Sequence, residues 1–319
     1  MVRVAFFGTP TFAVPSLERL LAAGEEVVAA VTQPDRPRGR GHRVQPSPVK
    51  TTALARGIPV LQPLRASDPA FAAALAACQP DLGVVAAYGK LLPDAILATP
   101  RYGTINVHAS LLPRYRGAAP VHRAIIAGEP ETGVTMIRLV REMDAGPMLA
   151  RASRAIGPDE TSAVVDAALS EIGAELLVTT VRAITEGRSR EEPQEHVQAT
   201  FAPRLTKEDG RIDWTQSAIA IHNLVRGLHP WPHAFSFLRS FRYLILGTRP
   251  ETQTTDSTRA PGEIIEAQGD RLYVRCGGGT VLAIHELQPE GRRRVPTRAF
   301  LAGHELSLPA RFDSRHPSQ

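Results

Sequence analysis

The chain has 319 residues, 43% of them hydrophobic and 22% charged, a balance that excludes a disordered or collagen-like protein. Its net charge of +5 rests mainly on arginine, and its only cysteines are Cys78 and Cys276. These are too few for a disulfide framework or a cysteine-built zinc site. The apolar stretch at the N-terminus is too short for a signal peptide, and no run reaches the ~18 apolar residues of a membrane helix. We therefore expect a cytoplasmic protein.

Strand and helix patterns alternate along the first part of the chain. Short apolar runs predict strands at residues 2–7, 27–32, 58–61, 81–88, 104–108 and 134–139. Helical spacing and capping residues predict helices at 15–23, 49–56, 69–78, 119–127 and 161–185. This alternation predicts an α/β fold, a doubly wound and mostly parallel Rossmann-like sheet, over residues 1–187.

The pattern changes after residue 187. Residues 188–203 are polar and lack periodicity, which is typical of a linker. A helix at 217–228 follows, and then strand-like runs at 234–238, 242–247, 262–267, 271–276 and 280–285. Gly277, Gly278 and Gly279 separate the last two runs and indicate a hairpin. Residues 204–319 are thus expected to form a small β-barrel of the oligonucleotide-binding (OB-like) type.

Positive charge is concentrated in two regions. Residues 35–50 carry five basic residues and one acidic residue, and residues 204–319 have a net charge of +4. Such an arrangement suits a polyanionic partner. The alternative, a basic face that only interacts with solvent, is common enough that charge alone does not decide between the two.

The strand at 104–108 carries the most informative polar pair. Asn106 and His108 are two residues apart, so their side chains point to the same face. An amide donor beside an imidazole suits an oxyanion developing at a carbonyl group. In the alternative interpretation both are buried polar residues bonded to the backbone. The first βα turn, Gly8-Thr9-Pro10, lacks G-x-G-x-x-G, which disfavours dinucleotide binding.

Asp144 follows the strand at 134–139 and could orient His108 or accept a proton through water. As a residue beside Gly146, it is equally well explained as a helix cap or a turn residue. The sequence shows no clear nucleophile, because Cys78 has no basic neighbour, Cys276 has only Arg275 beside it, and G-x-S-x-G is absent. The attacking group would then belong to the substrate, for example an α-amino group.

The motif SLLPRYRGAAP, after a strand with Asn-x-His and before Met-Asp-Ala-Gly, resembles the folate-dependent formyltransferases. The segments FFGTPTFAVPSLERLL, VTQPDRPRGRG, SPVK, AAYGKLLP and TKEDGRIDW extend the resemblance over nearly the whole chain, to the members that act on tRNA. It implies formyl transfer from 10-formyltetrahydrofolate, without a metal, to the amino group of an initiator methionyl-tRNA bound by its acceptor stem.

The resemblance also assigns residues. It implies that Asn106, His108 and Asp144 are catalytic. The implied folate-contacting residues are Ser110, Leu111, Leu112, Pro113, Ala86, Tyr88, Gly89 and Lys90. The implied tRNA-binding residues are Arg36, Arg38, Arg40, Arg43 and Lys50. One position departs from the family pattern: His42-Arg43 stands where two lysines are usual, so one positive charge is lost near pH 7.

Two other functions fit parts of this pattern. A formyltransferase for a small amine, such as a nucleotide sugar or a purine-pathway ribonucleotide, would use the same three catalytic residues. It would need neither the arginine-rich segment nor a basic C-terminal domain. A catalytically inactive RNA-binding protein on the same scaffold would have no use for those three residues, and their presence argues against it.

Overall fold

The computed structural model describes residues 1–38, 43–254, 259–304 and 306–314. The chain forms two compact units. The first unit consists of Met1–Pro120, Glu131–Ala155 and Asp166–Pro203. The second unit consists of Val121–Pro130, Ile156–Val165 and Arg204–Gln319.

Strands and helices alternate along residues 1–187, as predicted, and one further short strand follows in residues 188–203. The strands are β1 (Arg3–Gly8), β2 (Glu26–Val31), β3 (Arg36–Arg38), β4 (Arg43–Gln45), β5 (Val60–Leu61), β6 (Leu82–Ala86), β7 (Thr104–His108), β8 (Arg116–Gly117), β9 (Glu131–Arg138), β10 (Met148–Ala155) and β11 (Phe201–Ala202). The helices are α1 (Val14–Ala22), α2 (Pro48–Ala55), α3 (Pro69–Ala77), α4 (Asp94–Leu97), α5 (Pro120–Ile126) and α6 (Ser162–Thr185).

A seven-stranded sheet forms the first unit, in the order β10-β9-β7-β6-β1-β2-β5. The neighbours from β7 to β5 are parallel, whereas β9 and β10 are antiparallel additions at one edge. From β1 the chain continues outwards through β2 to β5, and then returns to the other side of β1 with β6. Ligands of open α/β sheets bind beside the carboxyl ends of the strands where the winding reverses in this way.

The central strands are apolar because both faces of the sheet are covered. β1 is buried from Val4 onward, and Phe6 lies opposite Ala30 and Val84 in the two flanking strands. Asp68 caps α3 as predicted, its carboxylate accepting a hydrogen bond from the Ala70 N–H at 2.9 Å. The apolar sequence therefore leaves polar side chains mainly to the strand ends and the loops after them.

The second unit contains α7 (Ala218–Gly227), the strands β12 (Ala234–Leu238), β13 (Phe241–Thr254), β14 (Ile264–Gln268), β15 (Arg271–Arg275), β16 (Thr280–Pro289) and β17 (Val295–Pro296), the helix α8 (Thr297–Gly303) and the strand β18 (Phe312–Asp313). The antiparallel sheet has the order β14-β15-β16-β13-β12-β18, with β17 paired to β16.

The two ends of this sheet meet. The Ile264 N–H donates to the Ala310 carbonyl and the Phe312 N–H donates to the Gly262 carbonyl, both at 2.8 Å. The sheet thus curls into a small barrel around a core that includes Trp214, stacked on Phe312 at 5.7 Å. This confirms the predicted fold class, a doubly wound α/β sheet followed by a small β-barrel.

Several elements were not predicted. β10 has the sequence MLARASRA, whose arginine and alanine residues have low strand propensity, and the strand lies at the sheet edge with one face exposed. β8 and β11 are two-residue strands that pair across 85 positions of sequence, which no local pattern reveals. In the part of the chain that the structure covers, no helix is both long enough and apolar enough to cross a membrane.

Candidate active site

β7 carries Asn106 and His108 on one face, at the carboxyl end of the strand. Asn106 lies between Val85 of β6 and Ile137 of β9, and it remains partly exposed. His108 is the last residue of β7 and is only 5% exposed. An accessible amide and a nearly enclosed imidazole thus lie side by side where the strand ends.

Both ring nitrogens of His108 face oxygen atoms. Nε2 lies 3.1 Å from the Tyr115 carbonyl oxygen, and Nδ1 lies 3.6 Å from Oδ2 of Asp144. Because a carbonyl oxygen only accepts hydrogen bonds, Nε2 carries the hydrogen in the first contact. The second distance is within ion-pair range but exceeds that of a direct hydrogen bond.

Asp144 is held by the backbone of β8. Its Oδ2 accepts a hydrogen bond from the Gly117 N–H at 2.8 Å. Gly117 has φ +121°, and a Cβ there would come within 2.8 Å of the Ala202 carbonyl oxygen, so only glycine fits. Asp144 itself has φ +50°, an uncommon conformation for a residue other than glycine. The structure thus brings the three predicted catalytic residues together.

The segment from Ser110 to Pro113 is fixed by Thr135 of β9. The Thr135 hydroxyl donates to the Ser110 carbonyl at 2.7 Å and accepts from the Leu112 N–H at 3.1 Å. The Leu112 side chain is 1% exposed and packs in an apolar cluster with Ile137. Leu111 and Pro113 are partly exposed, so this stretch presents them and its backbone, whereas Leu112 anchors it.

The loop after β6 follows Ala86, beside the strand that ends at His108. Gly89 in this loop is exposed and has φ +82°. Tyr88 is 1% exposed, its ring lies edge-on against Phe7, and burial raises the pKa of its hydroxyl to about 12. Tyr88 therefore anchors the loop in the core, while Gly89 is exposed.

Lys90 connects the loop after β6 to a second loop. Its ammonium donates to the carbonyls of Pro63 and Leu64, each at 2.8 Å. Burial, and then repulsion from Arg36, lower the pKa of Lys90. The structure thus places Lys90 as a contact between two loops.

The arginine-rich segment begins as a hairpin in which β3 and β4 pair antiparallel, so the backbones of Arg38 and Arg43 are opposite each other. Arg36 is exposed, and Arg40 lies outside the described residues. Lys50 is separate from this group, because its ammonium contacts Asp35 at 2.6 Å and Gln62 at 2.7 Å. Hydrogen bonds from these same partners lower the pKa of Asp35.

Residues 188–203, predicted as a linker, contribute to the site. The Thr200 hydroxyl accepts a hydrogen bond from the Tyr115 N–H at 2.9 Å, and its carbonyl accepts from the Arg116 N–H at 2.8 Å. Gln194 contacts the backbone of Asp144. No local sequence signal marks these residues, because their partners lie 48 or more positions away. Among the described residues, no group of three or more His, Cys, Asp or Glu side chains could hold a metal ion.

Comparison with known families defines the class of protein. A model described as formyl transferase matches residues 2–181, and one described as formyl transferase, C-terminal domain, matches residues 204–305. Together they cover both units and define an enzyme that transfers a formyl group.

Similar proteins narrow the class. A methionyl-tRNA formyltransferase of Citrifermentans bemidjiense is 48% identical over 96% of this chain and 94% of its own length. One from Heliobacterium modesticaldum is 45% identical over 98% of this chain and 100% of its own length, and one from Enterococcus faecalis is 46% identical over 95% and 96%. The chain belongs to the methionyl-tRNA formyltransferase family.

Solved structures of more distant proteins share the fold. An N-formyltransferase from Helicobacter canadensis, in complex with folinic acid and dTDP-3-aminofucose, superposes with a TM-score of 0.68 at 16% identity, covering 91% of this chain and 100% of that one. HypX from Aquifex aeolicus, in complex with tetrahydrofolic acid, has a TM-score of 0.61 at 18% identity, covering 94% and 47%.

Proposed function

We propose that this enzyme transfers the formyl group of 10-formyltetrahydrofolate to the α-amino group of initiator methionyl-tRNA in the cytoplasm. The product, N-formylmethionyl-tRNA, serves translation initiation. The observation that carries this proposal is the convergence of Asn106, His108 and Asp144 at the carboxyl end of β7, in a chain of this family.

In the proposed reaction the substrate amine attacks the formyl carbon and forms a tetrahedral intermediate. The Asn106 amide N–H donates to the formyl oxygen, and His108 stabilises the negative charge that develops on it. Asp144 supports His108 and relays the proton that the amine releases. The bond between the formyl carbon and N10 of the folate then breaks, N10 takes up a proton, and tetrahydrofolate leaves.

The folate is expected beside these residues, between the loops that follow β6 and β7. Because the two strands are parallel neighbours, Ala86–Lys90 and Ser110–Pro113 leave the sheet at the same edge. Exposed Gly89 and the partly exposed Leu111 and Pro113 would contact the cofactor, and buried Tyr88 and Leu112 would set the position of each loop. Two structures of the same fold contain folate compounds, which supports a folate co-substrate for this enzyme.

We expect the tRNA to bind at the arginine-rich segment that contains β3 and β4, and at the basic second unit. Arginine fits phosphate oxygens in two-point contacts and stacks on unpaired bases. We assign Arg36, Arg38, Arg40 and Arg43 to the acceptor stem. Lys50 would assist tRNA binding indirectly, by holding Asp35 next to β3. Its own charge is already neutralised by Asp35.

The test is a substrate comparison with purified enzyme and 10-formyltetrahydrofolate. We expect formylation of methionyl-tRNA and none of free methionine or of a dTDP-linked amino sugar. Formylation of the amino sugar alone would favour a small-amine enzyme. Binding of tRNA without turnover of any acceptor would indicate an inactive RNA-binding protein. Either result would refute the proposal.

A further inference from the structure

Gln194 is 5% exposed although most of its neighbours in sequence are exposed. Its Nε2 donates to the carbonyl oxygens of Asp144 at 2.8 Å and Gly146 at 2.7 Å. Its Oε1 accepts from Nε of Arg116 at 3.1 Å and from Nη2 at 2.7 Å. Because a guanidinium only donates and a carbonyl only accepts, these partners fix which end of the carboxamide points where.

Arg116 links the Gln194 carboxamide to the residues that contact His108 and Asp144. Its side chain is 3% exposed, and it also donates to Nδ1 of His196 at 3.3 Å. Arg116 lies between Tyr115, whose carbonyl contacts His108, and Gly117, whose N–H holds the Asp144 carboxylate. Gln194 therefore connects the backbone that contacts His108 with the turn that carries Asp144.

The turn needs such support. Asp144 has φ +50°, and a residue other than glycine keeps this conformation only when its surroundings fix it. Among uncharged side chains of this length, the carboxamide of glutamine can donate to two carbonyls at one end and accept from a guanidinium at the other. The alternative explanation is that Gln194 merely satisfies a buried arginine.

We infer that Gln194 is a positioning residue for formyl transfer, which acts by fixing Asp144 relative to His108. This inference rests on the proposed function, since it gives Asp144 its role in the reaction. A displacement of about 1 Å at a reacting group can lower turnover by about 100-fold. Loss of the two Nε2 hydrogen bonds should therefore lower kcat without changing the affinity for folate.

The experiment compares Gln194→Glu with Gln194→Ala, and uses Gln198→Ala as a matched control at an exposed glutamine. Gln194→Glu keeps the size of the side chain and the acceptor for Arg116, but loses both donors. We expect kcat with methionyl-tRNA to fall about 10- to 100-fold in both Gln194 variants. The dissociation constant of Gln194→Glu for folinic acid should match that of the wild type, and Gln198→Ala should keep full kcat. The melting temperature of Gln194→Glu should fall, because the carbonyls of Asp144 and Gly146 lose their donor.

A second comparison uses Asp144→Asn as the background. If Gln194 acts through Asp144, Gln194→Glu should have little further effect on kcat there, because the two substitutions remove one function. An equal loss in both backgrounds, wild-type kcat in Gln194→Glu, or failure of both Gln194 variants to fold would overturn the inference. If wild-type enzyme does not formylate methionyl-tRNA, the proposed function itself fails.

Discussion

Nδ1 of His108 lies 3.6 Å from Oδ2 of Asp144, while the same oxygen accepts a hydrogen bond of 2.8 Å from the Gly117 N–H. The backbone thus holds the carboxylate slightly beyond hydrogen-bond distance of the imidazole. Contacts of this kind often shorten when substrate binds. The Gly117 N–H therefore sets the starting position of Asp144, and this position can be tested by substitution.

We expect Gly117→Ala to lower kcat by about 10-fold or more, because a Cβ there meets the Ala202 carbonyl oxygen at 2.8 Å and must displace the N–H that holds Asp144. Gly187→Ala is the matched control, since Gly187 also has a positive φ, +68°, but a Cβ there meets nothing within 4 Å. Steady-state kinetics would decide, and equal kcat in the two variants would refute this role of Gly117.

Asn106→Asp and His108→Ala should each lower kcat by roughly 10²–10³, the usual cost of losing one group that stabilises an oxyanion. Asn106→Asp keeps the shape of the side chain, but it replaces the amide donor with a carboxylate that only accepts hydrogen bonds and carries a negative charge. Both variants should still bind tRNA and folinic acid, as measured by calorimetry. Turnover near that of the wild type in either variant would contradict the assigned role.

The sequence predicted the sheet and the strand that carries Asn106 and His108 well, because both follow from local patterns. The apolar runs mark β1 and β6, and the spacing of Asn106 and His108 follows from the alternation of side chains along a strand. The sequence motif placed Asp144 near them by family resemblance. The structure then supplied the distances.

The support for these residues could not be predicted. Gln194 and Thr200 lie in a stretch without periodicity, and they act through partners such as Arg116 that are far away in the sequence. The burial of the Tyr88 and Leu112 side chains could not be predicted either. Each lies in a motif whose residues were all assigned to folate binding. Core packing and backbone conformation decide such details.

A bulky side chain in the loop after β6 should block the proposed folate site. Ala87 is exposed and has φ +48°, so Ala87→Trp adds bulk without requiring a new backbone conformation. We expect the dissociation constant for folinic acid to rise about 10-fold or more, a change of at least ~1.4 kcal/mol. Gln79→Trp, at an exposed residue with φ +47°, is the control. Unchanged folate affinity in Ala87→Trp would remove this loop from the site.

Removal of two arginines from the arginine-rich segment should change the salt dependence of tRNA binding. Each lost phosphate contact lowers the slope of log affinity against log salt by roughly 0.7–1, so Arg38→Ala with Arg40→Ala should lower it by about 1.4–2. Turnover should also fall, because the hairpin would place the 3′ end of the tRNA at Asn106. Folate affinity is the control, and an unchanged slope with unchanged turnover would make the hairpin a mere connector.

Lys50→Gln provides a contrast within the same segment. Its ammonium is already paired with Asp35 at 2.6 Å, so its removal should change the salt slope by clearly less than the loss of one free arginine contact. A change of a full 0.7–1 would show that Lys50 leaves Asp35 and binds phosphate directly.

The second unit should lose stability below neutral pH because of His222. This residue is 5% exposed, its Nε2 lies 3.1 Å from the Pro158 carbonyl oxygen, and its Nδ1 lies 3.0 Å from the Thr248 hydroxyl. The carbonyl requires hydrogen on Nε2, and Nδ1 can then accept from Thr248, so the neutral ring satisfies both partners. Burial chiefly, and Arg226 in addition, lower the pKa of His222. They outweigh the hydrogen bond to Pro158 and the smaller effects of Asp159 and Thr248, which raise the pKa.

The direction of the pH effect follows from this pKa. An unfolded histidine takes up a proton near pH 6.5, whereas folded His222 resists protonation until lower pH, so the unfolded state binds more protons in that interval. The free energy of unfolding should therefore decrease as pH falls below about 6.5, by at most ~1.4 kcal/mol per pH unit for each such group. Burial also lowers the pKa of His122 and His233, so they add to the effect with the same sign.

His222→Gln should reduce this pH dependence, because glutamine has no charge to acquire. Urea unfolding between pH 5 and 8, followed by tryptophan fluorescence, reports on this unit, since both tryptophans, Trp214 and Trp231, lie in it. The variant should be less stable than the wild type at pH 8, where it has lost hydrogen bonds, and the difference should narrow towards pH 5. Parallel stability curves for the two proteins would show that another group causes the loss.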